Sequence, residues 1–217
     1  MIVDLNLQDK TVIVIGGGSE AEKRINSLLK QGCKIIVISD KVSSKINKLS
    51  KIKKITLKKQ KIQDIKFISK LKPYMIIATT NDKKMNQKII NNAKKSKIIA
   101  YSSDNPEESD FSNPAIIDFE NMIQVAIFTG GRSPTMSKKL RIKSESLFKK
   151  IITKEDIAQI KIQKIARELA KKTIPTQIQR KEYLRSIMVD NEIDQLIKDG
   201  QMKKAEKRAI TILGNLK

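Results

Sequence analysis

Histidine, tryptophan and long apolar segments are absent from this sequence of 217 residues, and cysteine occurs once, as Cys33. A single cysteine excludes an internal disulfide, and without histidine it leaves too few ligands for a zinc site. The longest apolar runs, such as residues 12–15 and 35–38, are far shorter than the roughly 20 residues that a membrane-spanning helix needs. Asp4 also stands where a signal peptide is apolar. We therefore expect a cytoplasmic protein with no membrane span and no metal site.

Aromatic residues are scarce, and acidic residues are outnumbered. The chain has three Tyr, five Phe, and 45 Lys plus Arg against 23 Asp plus Glu, a net charge of +22. Such a charge attracts polyanions, which include nucleic acids and small molecules with many carboxylates. The aromatic residues are spread singly and form no base-stacking surface, so nucleic acid is the weaker alternative. Part of the lysine excess has a second explanation in compositional bias, because isoleucine and asparagine are abundant as well.

Short β-branched segments alternate with segments of helical periodicity between Thr11 and Tyr101, a pattern typical of parallel β–α–β units. The predicted strands are Thr11–Ile15, Lys34–Ile38, Lys54–Leu57, Tyr74–Ala78 and Ile98–Tyr101. The predicted helices are Glu20–Gln31, Val42–Leu49, Asp64–Lys70 and Asp82–Ser96. The predicted fold is therefore α/β, with an N-terminal Rossmann-like parallel sheet.

The pattern changes after residue 112, where Ala115–Asp118 and Met122–Phe128 predict a β-hairpin that we interpret as a dimerisation element. From Pro134 onward the sequence is helical. Helix-capping residues occur at Ser133, Thr153 and Asp190, Pro175 is predicted to open a further helix, and Gly200 separates the last two helices. We predict three parts: residues 1–112, residues 113–150, and a small all-α domain at residues 151–217.

A glycine-rich fingerprint follows the first predicted strand. Gly16, Gly18 and Ala21 match the pattern G-x-G-x-x-A, in which the glycines permit a tight turn and the approach of a pyrophosphate to a helix N-terminus. Asp40, just past the second strand, is placed to accept hydrogen bonds from a ribose, which favours NAD over NADP, although the neighbouring Lys41 weakens this preference. We predict an NAD site here, and the alternative is a glycine turn that serves packing only.

Two further segments end at the same edge of the predicted sheet. Thr79 and Asn81 follow the fourth strand, where an open α/β sheet binds its ligand, and the alternative is capping of the next helix by Asn81 or Asp82. Asp104 follows the fifth strand as a carboxylate able to take a proton or to orient a cationic nitrogen. The alternative for Asp104 is a turn-forming role before an Asn-Pro pair.

A second glycine loop joins the predicted hairpin to the helix that follows. It offers free amides and one guanidinium group to a carboxylate, and we predict that it binds substrate through Thr129, Gly130, Gly131, Arg132 and Ser133. The helix that follows the loop carries six cationic residues and one acidic residue, Glu145. This charge is interpreted either as an ordinary solvated face or as a surface that binds an acidic substrate. The alternative for the loop is a plain strand-to-helix turn.

The glycine-rich fingerprint, the segment with Thr79 and Asn81, Asp104 and the second glycine loop follow one another along the chain in this order. With this series of motifs the sequence resembles the precorrin-2 dehydrogenase / sirohydrochlorin ferrochelatase family, the NAD-dependent module of siroheme synthase. The match also includes Pro-Ala-Ile-Ile-Asp at residues 114–118 and runs along the whole chain. The resemblance implies that Asp104 is the catalytic aspartate and that the cofactor contacts include Ser19, Glu20, Asp40 and Lys41. Thr129 departs from the serine of some members, and the helical tail matches in pattern only.

The resemblance implies that a cytoplasmic homodimer oxidises precorrin-2 to sirohydrochlorin in siroheme biosynthesis, with NAD as cofactor. Residues 1–112 would bind NAD, and residues 113–150 would dimerise and contact the tetrapyrrole. The basic excess suits a substrate that carries many carboxylates. One alternative is a bifunctional enzyme that also inserts ferrous iron. Another is a nucleotide-sensing regulatory module without catalysis.

Overall fold

A five-stranded parallel sheet forms the first of two units, Met1–Asn113, in the computed structural model, which describes residues 2–214 apart from the side chain of Ser69. The strand order is β3-β2-β1-β4-β5. After β3 the chain crosses back to the other side of β1, so the loops after β1 and β4 separate at a topological switch point. The strands are β1 Thr11–Ile15, β2 Lys34–Ile38, β3 Thr56–Lys58, β4 Met75–Ala78 and β5 Ile99–Ser102.

Both faces of the central strand are buried, which explains its continuous β-branched run. Val12 and Val14 join a core cluster with the helix α1 (Ser19–Leu28), while Ile13 and Ile15 point to the opposite face and pack with α4 (Lys83–Lys95). Because side chains alternate along a strand, β1 contributes to two cores at once. The helices are α1 Ser19–Leu28, α2 Ser44–Lys51, α3 Lys66–Leu71 and α4 Lys83–Lys95.

The predicted α/β class and the five predicted strands are confirmed; the bounds of β1 and β2 match, and those of the other three strands differ by one or two residues. The largest difference is at α1, which was predicted to reach Gln31 and ends at Leu28. The chain turns at Gly32, whose φ of 66° lies in the left-handed region, and the Gly32 carbonyl accepts the Asp9 N–H at 3.0 Å. This turn ends the helix earlier than its periodicity suggests.

The loop after β5 folds back along that edge strand. The backbone N–H of Asp110 donates to the Ala100 carbonyl at 2.9 Å, and its carboxylate accepts the Ala100 N–H at 2.8 Å. The Ser109 hydroxyl accepts the Ser102 N–H at 2.9 Å, and a short 3-10 turn lies at Pro106–Glu108. These bonds cover the exposed edge of β5 and hold the loop that carries Asp104.

The second unit, Pro114–Lys217, begins with an antiparallel hairpin of β6 Ala115–Phe119 and β7 Ile123–Ile127. Three residues, 120–122, connect the strands; Glu120 and Asn121 have positive φ values, and the Met122 N–H donates to the Phe119 carbonyl at 2.9 Å, which closes the turn. Five helices follow in the described residues: α5 Pro134–Ile151, α6 Lys154–Thr173, α7 Gln177–Met188, α8 Asn191–Lys198 and α9 Met202–Gly214. The helix α5 packs against the hairpin.

The helix caps Ser133, Thr153 and Asp190 are confirmed, each accepting a hydrogen bond from a backbone N–H of the first helical turn. The predicted start at Pro175 is wrong by two residues, because Thr176 caps α7 and the proline precedes the cap.

A core shared by α6–α9 surrounds Tyr183, whose buried hydroxyl donates to the Ala209 carbonyl at 2.8 Å. Burial raises the pKa of this phenol. The predicted division of this unit near residue 150 stays a prediction. In the part of the chain that the structure describes, no helix is both long enough and apolar enough to cross a membrane.

Candidate functional site

Three glycines carry the chain from β1 into α1, and the first two are required by close packing. A Cβ on Gly16 would lie 2.7 Å from the Thr79 carbonyl oxygen, and the φ of Gly16 is 115°. A Cβ on Gly17 would lie 2.1 Å from the Lys41 carbonyl oxygen. The Gly17 carbonyl also accepts the Ser43 N–H at 2.9 Å. The turn is therefore packed tightly between the loops that follow β2 and β4.

Gly18 differs from the other two glycines because its Cβ position is open, with no atom within 4 Å. It is the N-cap of α1, and no side chain caps this helix end. The free amides of the first helical turn and the open surface at Gly18 fit a pyrophosphate. They border a cavity of ≈ 590 Å³, a volume typical of small-ligand sites. Its lining includes residues 16–18, 38–43, 60–62 and 79–82.

Asp40 and Lys41 both line this cavity, at the end of β2. The Asp40 side chain accepts the Lys41 N–H at 2.9 Å, which orients the carboxylate while leaving it exposed. The hydroxyl of Ser39 donates to the Lys41 carbonyl at 2.7 Å and fixes the same turn. The position beyond β2 is the one at which an acidic side chain meets a ribose in this type of fold.

Thr79 and Asn81 also line the cavity, but they differ in exposure. Thr79 is only 8% exposed, and its hydroxyl donates to the Ile15 carbonyl at 2.9 Å. This bond ties β4 to the end of β1, so the Thr79 hydroxyl is already used within the protein. Asn81 is exposed in the cavity wall. Asp82 caps α4 by accepting the Met85 N–H at 3.0 Å.

Ser19 and Glu20 were predicted to contact the cofactor and belong to the first turn of α1, but among the described residues they do not line the cavity. The Glu20 carboxylate pairs with Arg24 and Lys23. Burial acts to raise the pKa of Glu20, but the charges and hydrogen bonds of these two cations outweigh it, so the pKa is lowered. Arg24 also donates to the Tyr101 hydroxyl at 2.9 Å. The structure thus engages the Glu20 side chain in an ion-pair network on the helix surface.

Asn86 connects the cavity wall to Asp104. This side chain of α4 is 1% exposed, and its amide oxygen accepts the Thr80 N–H at 3.2 Å and the Thr80 hydroxyl at 2.6 Å. Its amide nitrogen donates to the Thr80 carbonyl at 3.0 Å and to Asp104 Oδ1 at 2.9 Å. A buried amide with every bond satisfied is rigid, so Thr80 and Asp104 are held in one fixed arrangement.

Asp104 lies just beyond β5 as an exposed carboxylate whose Oδ1 also accepts a hydrogen bond from the Ser102 hydroxyl. Burial acts to raise its pKa, but the hydrogen bonds from Ser102 and Asn86, together with the charge of Lys83, outweigh that effect. The pKa of Asp104 is therefore lowered, and the group is ionised at neutral pH. A fixed, exposed carboxylate of this kind can orient a ligand N–H and stabilise positive charge.

Four residues of this arrangement are missing from the predicted set of site residues: Gly17, Thr80, Asn86 and Ser102. One signal in the sequence points to Asn86. It occupies the apolar face of α4 that continues through Ile89, Ile90 and Ala93, and a polar residue at such a position signals a buried hydrogen-bond network. No comparable signal marks Gly17, because its role depends on its packing against Lys41, 24 residues away.

The second glycine loop is closed on itself by hydrogen bonds. The Thr129 hydroxyl accepts the Ser133 N–H at 3.1 Å and lies 3.1 Å from the Ser137 hydroxyl, while Ser133 caps α5. Gly130 and Gly131 have φ values of 66° and 77°, which favour glycine. Arg132 and the two glycines are exposed. Within this loop, these three residues are the ones open to a ligand. The buried Ser137 was not predicted.

The family model that matches this chain describes NAD(P)-binding proteins and covers residues 3–115, which include the glycine turn, the cavity and Asp104. The siroheme synthase of Actinobacillus pleuropneumoniae serotype 3 (strain JL03) is 26% identical over 202 residues, with 93% of this chain and 40% of that protein covered. The siroheme synthase of Baumannia cicadellinicola is 31% identical over 149 residues, with 65% of this chain and 30% of that protein covered. This chain thus spans less than half the length of these relatives.

The solved structure of "SirC, precorrin-2 dehydrogenase" has the same fold, with a TM-score of 0.66 at 22% identity over 96% of this chain and 99% of that one. The resemblance predicted from the motifs is confirmed by these relatives. The cavity at the switch point, the open Gly18 and the uncapped helix end fit a dinucleotide. The chain belongs to the NAD(P)-binding family whose model spans its first unit.

Proposed function

We propose that this chain oxidises precorrin-2 to sirohydrochlorin in the cytoplasm, with NAD as hydride acceptor. The observation that carries the proposal is the ionised Asp104, fixed by the same buried amide that shapes the wall of the NAD(P) cavity. The relatives named siroheme synthase, together with the fold shared with SirC, support a tetrapyrrole as the substrate. These relatives do not favour a nucleotide-sensing role or an additional iron-inserting activity.

When bound, NAD accepts the hydride that the substrate loses, and the oxidation also releases one proton. In the first unit, the amides beside Gly18 hold the pyrophosphate, and Asp40 holds the ribose. Because its pKa is lowered, Asp104 is a weak base that is always charged at neutral pH. We infer that it orients the reacting part of the tetrapyrrole and stabilises the cation formed on hydride loss, after which the proton passes to solvent.

The substrate's carboxylates are assigned to the second glycine loop. Gly130 and Gly131 expose backbone amides, and Arg132 adds a guanidinium group that pairs well with carboxylates. The first turn of α5 contains no acidic residue that would oppose this charge. The Thr129 hydroxyl bonds to the Ser133 backbone and the Ser133 hydroxyl accepts the Met136 N–H, so both are proposed to act on the substrate only through the shape of the loop.

The test is anaerobic incubation with precorrin-2 and NAD, followed by absorbance, for the parent and for two matched variants. Asp104→Asn removes the charge but keeps an oxygen that can accept the Asn86 and Ser102 hydrogen bonds. Glu107→Gln makes the same change at an exposed carboxylate of the same loop. Loss of one group that stabilises charge in the transition state typically costs about 10²–10³-fold in kcat, so we expect that effect for Asp104→Asn, with unchanged NAD affinity, and we expect Glu107→Gln to leave kcat within twofold. Turnover of Asp104→Asn within threefold of the parent would remove Asp104 from the reaction.

We also propose that two copies of this chain associate through the hairpin and α5. One face of α5 exposes large apolar side chains at Met136, Leu140, Leu147 and Ile151, each at least 38% exposed. The hairpin that α5 packs against also exposes Ile116, and a second copy would cover the apolar side chains of both elements. Analytical ultracentrifugation should show a dimer that Leu147→Lys dissociates. Ile178 on α7, which is 73% exposed against 57% for Leu147, provides the control variant Ile178→Lys, and a monomeric parent would refute the proposal.

A further inference from the structure

A second cavity, of ≈ 520 Å³, lies between α6 and α7 within the helical part of the second unit. We call it the α6–α7 groove. Its lining comes from one stripe of each helix: Gln163, Arg167, Ala170 and Lys171 on α6, and Gln177, Arg180, Lys181, Leu184, Arg185 and Met188 on α7. These positions recur at steps of three and four residues, so each stripe faces the groove along its length.

Five cations and no carboxylate line this groove. Among residues 2–214, Arg167, Lys171, Lys181 and Arg185 form no ion pair. Other cations of the same unit do have acidic partners, as Arg208 has in Asp190. Four unpaired cations around one concavity repel each other, and a concave shape concentrates their field on any anion that enters.

The groove is fixed in shape by a hydrogen bond between the two helices and by others to the segment that connects them. Gln163 Nε2 donates to the Leu184 carbonyl at 2.9 Å, which holds α6 against α7. The Arg180 guanidinium donates to the Pro175 carbonyl at 3.3 Å and the Thr176 carbonyl at 3.2 Å, which holds the connection between the helices. Arg180 is therefore used within the protein. A preformed cavity spares a ligand the cost of ordering its site.

We propose that the α6–α7 groove binds a small organic polyanion, with carboxylates on Arg167, Lys171, Lys181 and Arg185 and an apolar body on Leu184 and Met188. The volume is that of a small-ligand site, and Met188 leaves 66% of its surface exposed for such contact. The choice of a tetrapyrrole polycarboxylate as the ligand rests on the proposed function. The preference for a small polyanion rests on the charge and shape of the groove and does not depend on that function. A nucleic acid fits less well, because no aromatic side chain lines the groove for base stacking.

The test uses the full chain, without NAD, and uroporphyrin as a porphyrin octacarboxylate probe. Lysine acetylation of the parent, read by mass spectrometry, should show that the probe protects Lys171 and Lys181. Lys164 and Lys172 are exposed lysines of α6 outside the groove lining, and their acetylation should not change. Because this readout requires no turnover, a chain that fails to oxidise precorrin-2 still reports on the groove.

Two double variants of α6 with the same charge change complete the test. Arg167→Gln/Lys171→Gln removes two groove cations and should weaken uroporphyrin binding at the protected site by about tenfold or more. Lys164→Gln/Lys172→Gln removes two cations outside the lining and should leave the dissociation constant within twofold. Equal weakening in both variants, equal protection of all four lysines, or no binding by the parent would overturn the proposal. Tighter binding of a single-stranded oligonucleotide, lost in the groove variant alone, would overturn it in favour of nucleic acid.

Discussion

Replacing Asn86 by leucine tests whether one buried amide holds the site together. Asn86→Leu keeps the size of the side chain but removes all four of its hydrogen bonds. The Thr80 hydroxyl can still donate to the Asp82 carbonyl, which lies 3.2 Å away. The Thr80 N–H, the Thr80 carbonyl and Asp104 Oδ1 each lose a partner, at about 1 kcal/mol each in a partly solvated loop. Burying the leucine returns about 1 kcal/mol, since part of the Asn86 site is already apolar. We therefore expect the free energy of unfolding to fall by about 2 kcal/mol.

The effect on activity should exceed the effect on stability. Without Asn86, Thr80 and Asp104 are no longer fixed relative to each other, and a displacement of about 1 Å at a reacting group costs about 10²-fold in rate. The pKa of Asp104 should rise toward its ordinary value, because one of the hydrogen bonds that lower it is lost.

The assay combines urea unfolding, NAD binding and turnover per folded molecule, with Asn91→Leu as the control. Asn91 lies on the same helix, is exposed, and accepts one surface hydrogen bond from Gln87 at 3.1 Å. The control should change stability by less than about 0.5 kcal/mol and leave turnover unchanged. If Asn86→Leu matches Asn91→Leu in both stability and turnover, the argument from the buried amide is refuted.

Three further predictions concern the cofactor turn and Asp104. Gly17→Ala should destabilise the first unit by more than about 2 kcal/mol in urea unfolding, because its Cβ would lie 2.1 Å from a backbone oxygen. Gly18→Ala should keep the stability of the parent and weaken NAD binding, and equal stability losses in the two variants would contradict this expectation. We expect the parent to prefer NAD over NADP by at least about tenfold in kcat/KM, and Asp40→Ala should reduce that preference. If the variant keeps the parent's ratio of kcat/KM values for the two cofactors, Asp40 does not contact the ribose. Because the pKa of Asp104 is lowered by folding, its contribution to stability is present above the pKa of the unfolded state and is lost as the pH falls through the pKa of the folded state. The difference in stability between the parent and Asp104→Asn should therefore shrink below about pH 4. A difference that stays constant with pH would contradict the lowered pKa.

Local patterns predicted most of the first unit because they report local physics. The run of β-branched residues at 11–15 is typical of a strand buried on both faces in a parallel sheet, and Gly16 follows it as the turn into α1. Caps at Thr153 and Asp190 mark helix starts by the same logic, since each satisfies an N–H within three residues of itself. The start of α7 was misplaced because two adjacent residues, Pro175 and Thr176, both favour a helix start.

The sequence by itself determined the α/β order, the cofactor turn and the position of Asp104 at the carboxyl edge of the sheet, since these depend on residues close together in the chain. Only the tertiary structure decided which partners those residues have. Asn86 reaches Asp104 across 18 residues, and Arg24 reaches Tyr101 across 77. The α6–α7 groove likewise exists only once two helices pack together. Hydrogen bonds and charges act over a few ångströms in space, so no periodicity along the chain reports them until the sheet and the helices have brought the groups into contact.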